Sequence, residues 1–204
     1  MSRCSVPTRL TTTSYALLGL LRLRSWTTYE LAKQVQRGLG WFWPRAERKL
    51  YEEPKRLVDA GFATATEEHT GNRARTVYTI TRSGRTALRR WLDEPSAPPT
   101  LEFEALVKVF FADGGSLEQL QATLQAVEDE SRARITELRT MIEQGREASY
   151  EFATRRSINA LALRFQLDHE ALLVRWAAWA QAETTTWRSP SDSGDWDWYA
   201  ALTD

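Results

Sequence analysis

With 204 residues, 42% of them hydrophobic and 26% charged, the chain can bury a real core as one generous domain or two small ones. A single cysteine, Cys4, excludes an intramolecular disulfide and a cysteine-based zinc site, which reads as a cytosolic, cytoplasmic chain; the two histidines, His69 and His169, lie too far apart in sequence to suggest a metal centre. The net charge of zero hides a polarity: residues 1–95 carry 17 Lys and Arg against 9 Asp and Glu, a balance of +8, and the remainder carries −8. A basic half suits a phosphate backbone, and an acidic half stays off the same surface.

The first element is a core helix over Thr11–Arg24, opened by capping threonines and Ser14 and carrying Tyr15, Leu17, Leu18, Leu20 and Leu21 on a broad apolar face. Arg3 and Arg9 ahead of this run imitate a signal peptide. The run is short, however, is closed by Arg22 and Arg24, and has no small-residue cleavage site behind it. No stretch approaches the roughly 20 apolar residues that cross a bilayer, so no membrane partner is expected. A second helix fits Thr28–Arg37, with Glu30 in its first turn, Leu31 and Val35 spaced i, i+4, and Gly38 to close it. Trp41, Phe42 and Trp43 follow in a loop that covers the core.

A third helix is expected over Arg45–Ala60, ending at Gly61, with Ala46, Leu50, Leu57 and Val58 inward; Pro54 is its anomaly, because a proline inside a helix removes a backbone hydrogen bond. Two strand-like runs, Phe62–Glu67 and Thr76–Thr81, flank a basic segment whose turn is Gly71–Asn72. Thr81–Gly84 then opens a helix reaching Trp91 and Leu92. Glu94–Pro99, half proline, reads as the linker between domains.

Beyond the linker the pattern is helical. Leu101–Phe111 is a compact apolar helix. From Ser116 a stripe of Leu117, Leu120, Leu124 and Val127 resumes at Leu138, interrupted by Ser131 and Arg134, and Gly145–Arg156 reads as a break. The last helix carries Ile158, Leu161, Phe165, Leu172, Trp176 and Trp179 at helical spacing. Ser189–Asp204 resembles a flexible or partner-docked tail. The expected fold is mainly α: an N-terminal winged helix-turn-helix with a two-stranded wing (1–95), long C-terminal antiparallel helices (96–188) and the tail (189–204).

Three helices followed by a basic-tipped hairpin form an arrangement in which one helix enters a major groove and its neighbours pin it by phosphate contacts. The third helix supplies Arg45, Arg48, Lys49, Tyr51 and Lys55; the hairpin supplies Asn72, Arg73 and Arg75; Tyr29 can donate its hydroxyl to phosphate. The partner expected from this pattern is a double-stranded DNA operator. Leu117, Leu120, Leu124, Val127, Leu138, Phe165 and Leu172 are too apolar to leave exposed and point to a homodimer. Nine tryptophans are many for this length, and Trp91, Trp176 and Trp179 are candidates to bind a small aromatic or lipophilic effector by stacking and cation–π attraction. The competing use of these tryptophans is as core and interface anchors.

Four blocks resemble the PadR-type regulators: SYALLGLL (Ser14–Leu21), TYEL (Thr28–Leu31), LYEEPKRLVDAG (Leu50–Gly61) and VYTITRSG (Val77–Gly84). The resemblance implies dimeric winged-helix repressors, often relieved by small aromatic or lipophilic effectors, and a recognition helix that tolerates Pro54. One departure is Arg45–Ala46, where members of that family commonly place a Ser or Thr N-cap. Two other classes compete with a DNA-binding regulator. They are a protein–protein adaptor built on a winged-helix scaffold, and a small-molecule-binding protein with vestigial DNA contacts. An enzyme is not expected. Nucleophile elbow, phosphate-cradling glycine loop and metal-ligand set are all absent from the sequence, neighbouring Glu52 and Glu53 point to different helix faces, and no cofactor is called for.

Overall fold

The computed structural model describes residues 9–40, 42–43, 47–70, 73–147 and 150–203. The chain divides into two compact units, Met1–Pro98 and Pro99–Asp204.

In the first unit α1 (Thr12–Leu23) begins with a reciprocal cap: the Ser14 amide donates to Thr11 Oγ1, and the Thr11 amide donates to Ser14 Oγ. A two-residue strand β1 (Trp26–Thr27) leads directly into α2 (Thr28–Leu39), where Thr27 and Glu30 repeat the reciprocal cap. The helix continues two residues past the expected Arg37 and is closed at Gly40 rather than Gly38. α3 (Glu47–Asp59) runs through Pro54 unbroken; Leu50, Glu53, Pro54 and Leu57 form its buried stripe at i, i+3, i+4, i+7. Gly61 ends it at φ 76°, a left-handed conformation that lets the Phe62 amide reach Leu57 O at 2.8 Å and the Gly61 amide reach Val58 O at 2.9 Å.

The hairpin β2 (Ala63–Thr70) and β3 (Arg73–Ile80) pairs from Ala63 opposite Ile80 to Thr70 opposite Arg73, with each strand reaching three residues further toward the turn than the apolar pattern suggested. β1 adds to β3, with Trp26 opposite Tyr78, so the sheet has three strands in the order β1-β3-β2. Two residues are too few to show a period, which is why β1 left no trace in the sequence pattern. α4 (Arg82–Leu92) is capped by Thr81 and packs tightly. A Cβ at Gly84 would lie 2.2 Å from the Phe62 carbonyl oxygen and 2.9 Å from Ile80 Cγ1, so only glycine allows this approach.

One buried carboxylate seats α3. Glu53, 6% exposed, accepts from Ser14 Oγ at 2.5 Å and from Arg56 at 2.8 Å. The Ser14 hydroxyl thus caps its own helix and fastens a second one. On the other side of α1, Tyr15 stacks on Trp91 with centroids 4.7 Å apart and planes 4° from parallel.

The second unit contains α5 (Glu104–Phe110), a single 3-10 turn at Ala112–Gly114, α6 (Leu117–Arg146), another turn at Ala153–Arg155, α7 (Arg156–Thr184) and a short α8 (Ala200–Thr203). α6 and α7 are 30 and 29 residues long, about 45 Å each, and run antiparallel: Gln181 donates to Glu128, and Arg134 pairs with Glu170 at 3.5 Å. Ser131 and Arg134 do not interrupt α6; they continue its 3–4 spacing, with Ser131 buried in the seam beside Leu124, Val127 and Leu138.

That seam corrects one expectation. Leu120, Leu124, Val127 and Leu138 are buried within the chain, and Leu117 is half-buried, so this stripe is consumed by the chain's own packing. Phe165 and Leu172, by contrast, stay exposed. The tail, expected to be flexible or partner-docked, makes contacts within the chain. Trp196 packs on Trp187 with centroids 5.0 Å apart and donates its indole N–H to Glu183 of α7, and Arg188 and Asp192 clasp the intervening turn.

Replacing Ser14 by Ala removes the hydroxyl donor to a buried carboxylate. The expected loss is about 1.5–3 kcal/mol, read as a lower urea midpoint with an unchanged m-value. The Glu30 carboxyl is held below its ordinary value of 4.5, first by the Thr27 amide and then by the Thr27 hydroxyl, Arg24 and Arg75, against opposing burial. Its contribution is therefore complete above that ordinary value and is lost as pH falls through the folded-state value. Below about pH 4.5 the native Tm should fall more steeply than that of Glu30→Gln, and parallel curves for the two proteins would contradict this role for the cap.

Candidate nucleic-acid interface

The outward face of α3 is set by what its inward face must bury. With Leu50, Glu53, Pro54 and Leu57 turned into the core, Arg48, Lys49, Tyr51, Glu52 and Lys55 are left in solvent. Arg48 is tied to Glu52 at 2.8 Å on the exposed surface, so its charge is partly neutralised. Lys49 and Lys55 stand exposed with no ion-pair partner among the described residues.

The start of α2 and the hairpin lie close to each other. The capping box places Tyr29 at the second position of α2, 65% exposed, and the neighbouring Glu30 carboxylate feels both Arg24 and Arg75. Arg75 itself, on β3, pairs with Glu68 across the hairpin at 2.8 Å. The hairpin therefore projects beside the N-terminal turn of α2, where helix amides and an exposed tyrosine hydroxyl both favour an anionic oxygen. Of the remaining residues singled out from the sequence, Arg45 and Asn72 lie outside the described residues, as do Trp41 and Ala46; Arg73 begins β3.

Two basic features were missed in the sequence reading. Arg24 sits 3.6 Å above the Trp26 ring and 3.8 Å from Glu30, linking α1 to the cap of α2. Arg82, Arg85 and Arg89 form an exposed row on α4, without ion pairs among the described residues. Their 3–4 spacing was legible. The contact of Arg24 with Trp26 was not, since it needs the turn into β1.

The three tryptophans considered for an effector separate. Trp91 is taken up by its stack on Tyr15. Trp176 meets Phe103 edge-on, with centroids 6.0 Å apart. Trp176 and Trp179 both line a cavity of about 370 Å³ in the second unit, whose far wall is the folded-back tail with Trp187 and Trp196. No helix among the described residues is long and apolar enough to cross a membrane.

Residues 17–90 match the transcriptional regulator PadR-like family, and residues 103–185 match the family described as virulence activator alpha C-term. The negative transcriptional regulator PadR of Bacillus subtilis (strain 168) is 29% identical over 132 residues, which is 64% of this chain and 72% of that protein. The crystal structure of Bacillus subtilis PadR in complex with operator DNA is similar at a TM-score of 0.73 and 26% identity, over 85% of this chain and 99% of that one. The same protein in complex with p-coumaric acid gives 0.65 at 26% identity, over 85% and 99% of the two chains. The Vibrio cholerae virulence activator AphA gives 0.66 at 26% identity, over 84% and 97%. The family blocks on α1, α2, α3 and the hairpin thus fold as a winged helix, and the helical unit has its own match in sequence and in structure: residues 17–90 form a domain of the PadR-like family of transcriptional regulators.

Proposed function

We propose that this protein is a homodimeric, cytoplasmic repressor that binds a double-stranded operator and is released from it by a small aromatic or lipophilic effector. The observation that carries the reading is the solvent face of α3. A helix pinned by Glu53 to the core turns Arg48, Lys49, Tyr51 and Lys55 outward in the half of the chain that carries the +8 charge. The Bacillus subtilis relative solved with operator DNA supports the partner, its description as a negative regulator supports repression, and its complex with p-coumaric acid supports an effector. The role is geometric and electrostatic, with no chemical step.

Dimerisation rests on α7. Ile158, Leu161, Phe165 and Leu172 are 52–73% exposed, and Ile158, Phe165 and Leu172 recur every seven residues. A heptad row of exposed apolar side chains is a seam awaiting a partner helix. Two heads so joined must reach half-sites about 34–36 Å apart on one face of the duplex.

Binding to the protein's own upstream DNA, measured against random DNA over a salt series, tests the reading. Arg75→Ala should weaken both DNAs similarly and flatten the log–log salt dependence by about 0.9 if one phosphate contact is lost. Lys49→Ala should cost the upstream site more than random DNA. Equal affinity of the native protein for the two DNAs would sink the operator reading. Light scattering should give twice the 23.4 kDa chain mass, and Phe165→Glu with Leu172→Glu should give that of one chain. A native monomer at micromolar concentration would remove the paired heads.

A further inference from the structure

We propose that the tryptophan-walled cavity of the second unit is the effector site, and that its ligand is a lipophilic organic cation. The inference rests on the regulator reading above and deepens it by fixing the site and the charge of what enters it. At about 370 Å³ the cavity is within the range that holds small ligands. Four indoles line it: Trp176 and Trp179 from α7, and Trp187 and Trp196 from the chain beyond it. Such walls offer electron-rich faces, which attract a cation and stack on an aromatic ring.

Charge decides between ligand classes. Among the described residues the only ionisable side chains lining the cavity are Asp113 and Glu183, and no Lys, Arg or His lines it. Glu183 has no cationic partner among the described residues. One of its oxygens accepts from the Trp196 indole N–H, and the other is without a protein donor among those residues. A carboxylate ligand would meet two like charges with nothing to balance its own, and a desolvated unpaired anion is costly. A protonated or quaternary amine would find a carboxylate beside aromatic faces. The Trp187 indole N–H is buried with no acceptor among the described residues, so a ligand that also carries an ether or carbonyl oxygen could satisfy a second group.

The wall from the tail makes the site responsive. Trp187 and Trp196 reach the cavity because the chain turns back after α7 through the Arg188–Asp192 clasp, and Glu183 holds Trp196 there. A cation drawn to Glu183 binds at the residue that fastens the tail to α7. Ligand occupancy and tail docking are therefore coupled through one carboxylate.

Three probes of nearly equal shape or known relevance separate the alternatives. Benzyltrimethylammonium is the cation, neopentylbenzene its neutral isostere, and p-coumaric acid the anionic aromatic solved with the Bacillus subtilis relative. Titrated into the full chain without DNA and followed by tryptophan fluorescence, the cation should bind saturably and about tenfold or more tightly than the other two. Glu183→Gln keeps an acceptor for Trp196 while removing the charge. It should erase the preference for the cation and leave the neutral isostere unchanged. If that variant misfolds, Trp179→Leu, at a half-exposed lining position, should weaken the cation by a similar factor with the dimer intact. Equal binding of cation and isostere, tighter binding of p-coumaric acid, or indifference to both substitutions overturns the proposal. Operator binding measured without any probe is a separate readout, so failure of the site leaves the regulator reading standing, and failure of the regulator leaves a cation-binding site without its role as an effector site.

Discussion

The position of the proposed reading helix depends on one buried carboxylate. Glu53 sits on the inner face of α3, taking a hydrogen bond from Ser14 of α1 on one oxygen and from Arg56 on the other. A carboxylate that far from water survives only when its lone pairs are met, and both partners here are fixed by the helices they belong to. Ser14 is itself immobilised by the capping box it makes with Thr11. Rotation of α3 about its axis would break this bond before it disturbed the nonspecific apolar contacts of Leu50 and Leu57. The polar network thus supplies a direction that hydrophobic packing alone would leave loose. From that direction follow the outward angles of Lys49, Tyr51 and Lys55.

The second unit solves a different problem with the same economy. α6 spends its apolar stripe on α7 within one chain, and α7, facing two ways, keeps a second stripe outside. A helix packed on one face and apolar on its exposed face is the expected bridge between a protomer and a partner. The seam between α6 and α7 also holds Ser131, Gln166 and Glu170, all buried, and Arg134 reaches Glu170 from the half-exposed edge. Polar groups at this depth weaken a seam relative to leucine but restrict its register, which fits a pair of helices that must present their outer stripe at a fixed angle.

Much of this was legible from residues alone, because it rests on local rules. The caps at Thr11, Thr27 and Thr81 and the stop at Gly61 are written in short spacings that need no tertiary knowledge. The sites that were misjudged share a physical reason: they depend on which of two apolar surfaces is covered. The α6 stripe was assigned to a partner chain although α7 was available to bury it. The tail was read as flexible or partner-docked from its Ser and Asp content, whereas its contact with α7 is made by Trp196 and Glu183, thirteen residues apart. The Ser14–Glu53 bond spans 39 residues and could not be inferred from either end. Trp91 was offered to a ligand because an aromatic in a basic helix gives no sign that Tyr15 already covers it.

A hydroxyl-radical footprint of the native protein on its own upstream DNA tests most directly whether two such heads read one operator. The account predicts two protected patches on the same face of the duplex, with centres about 34–36 Å or roughly one helical turn apart, and loss of both together in a chain that cannot dimerise. A single isolated patch, or two patches that survive disruption of the α7 stripe, would contradict it.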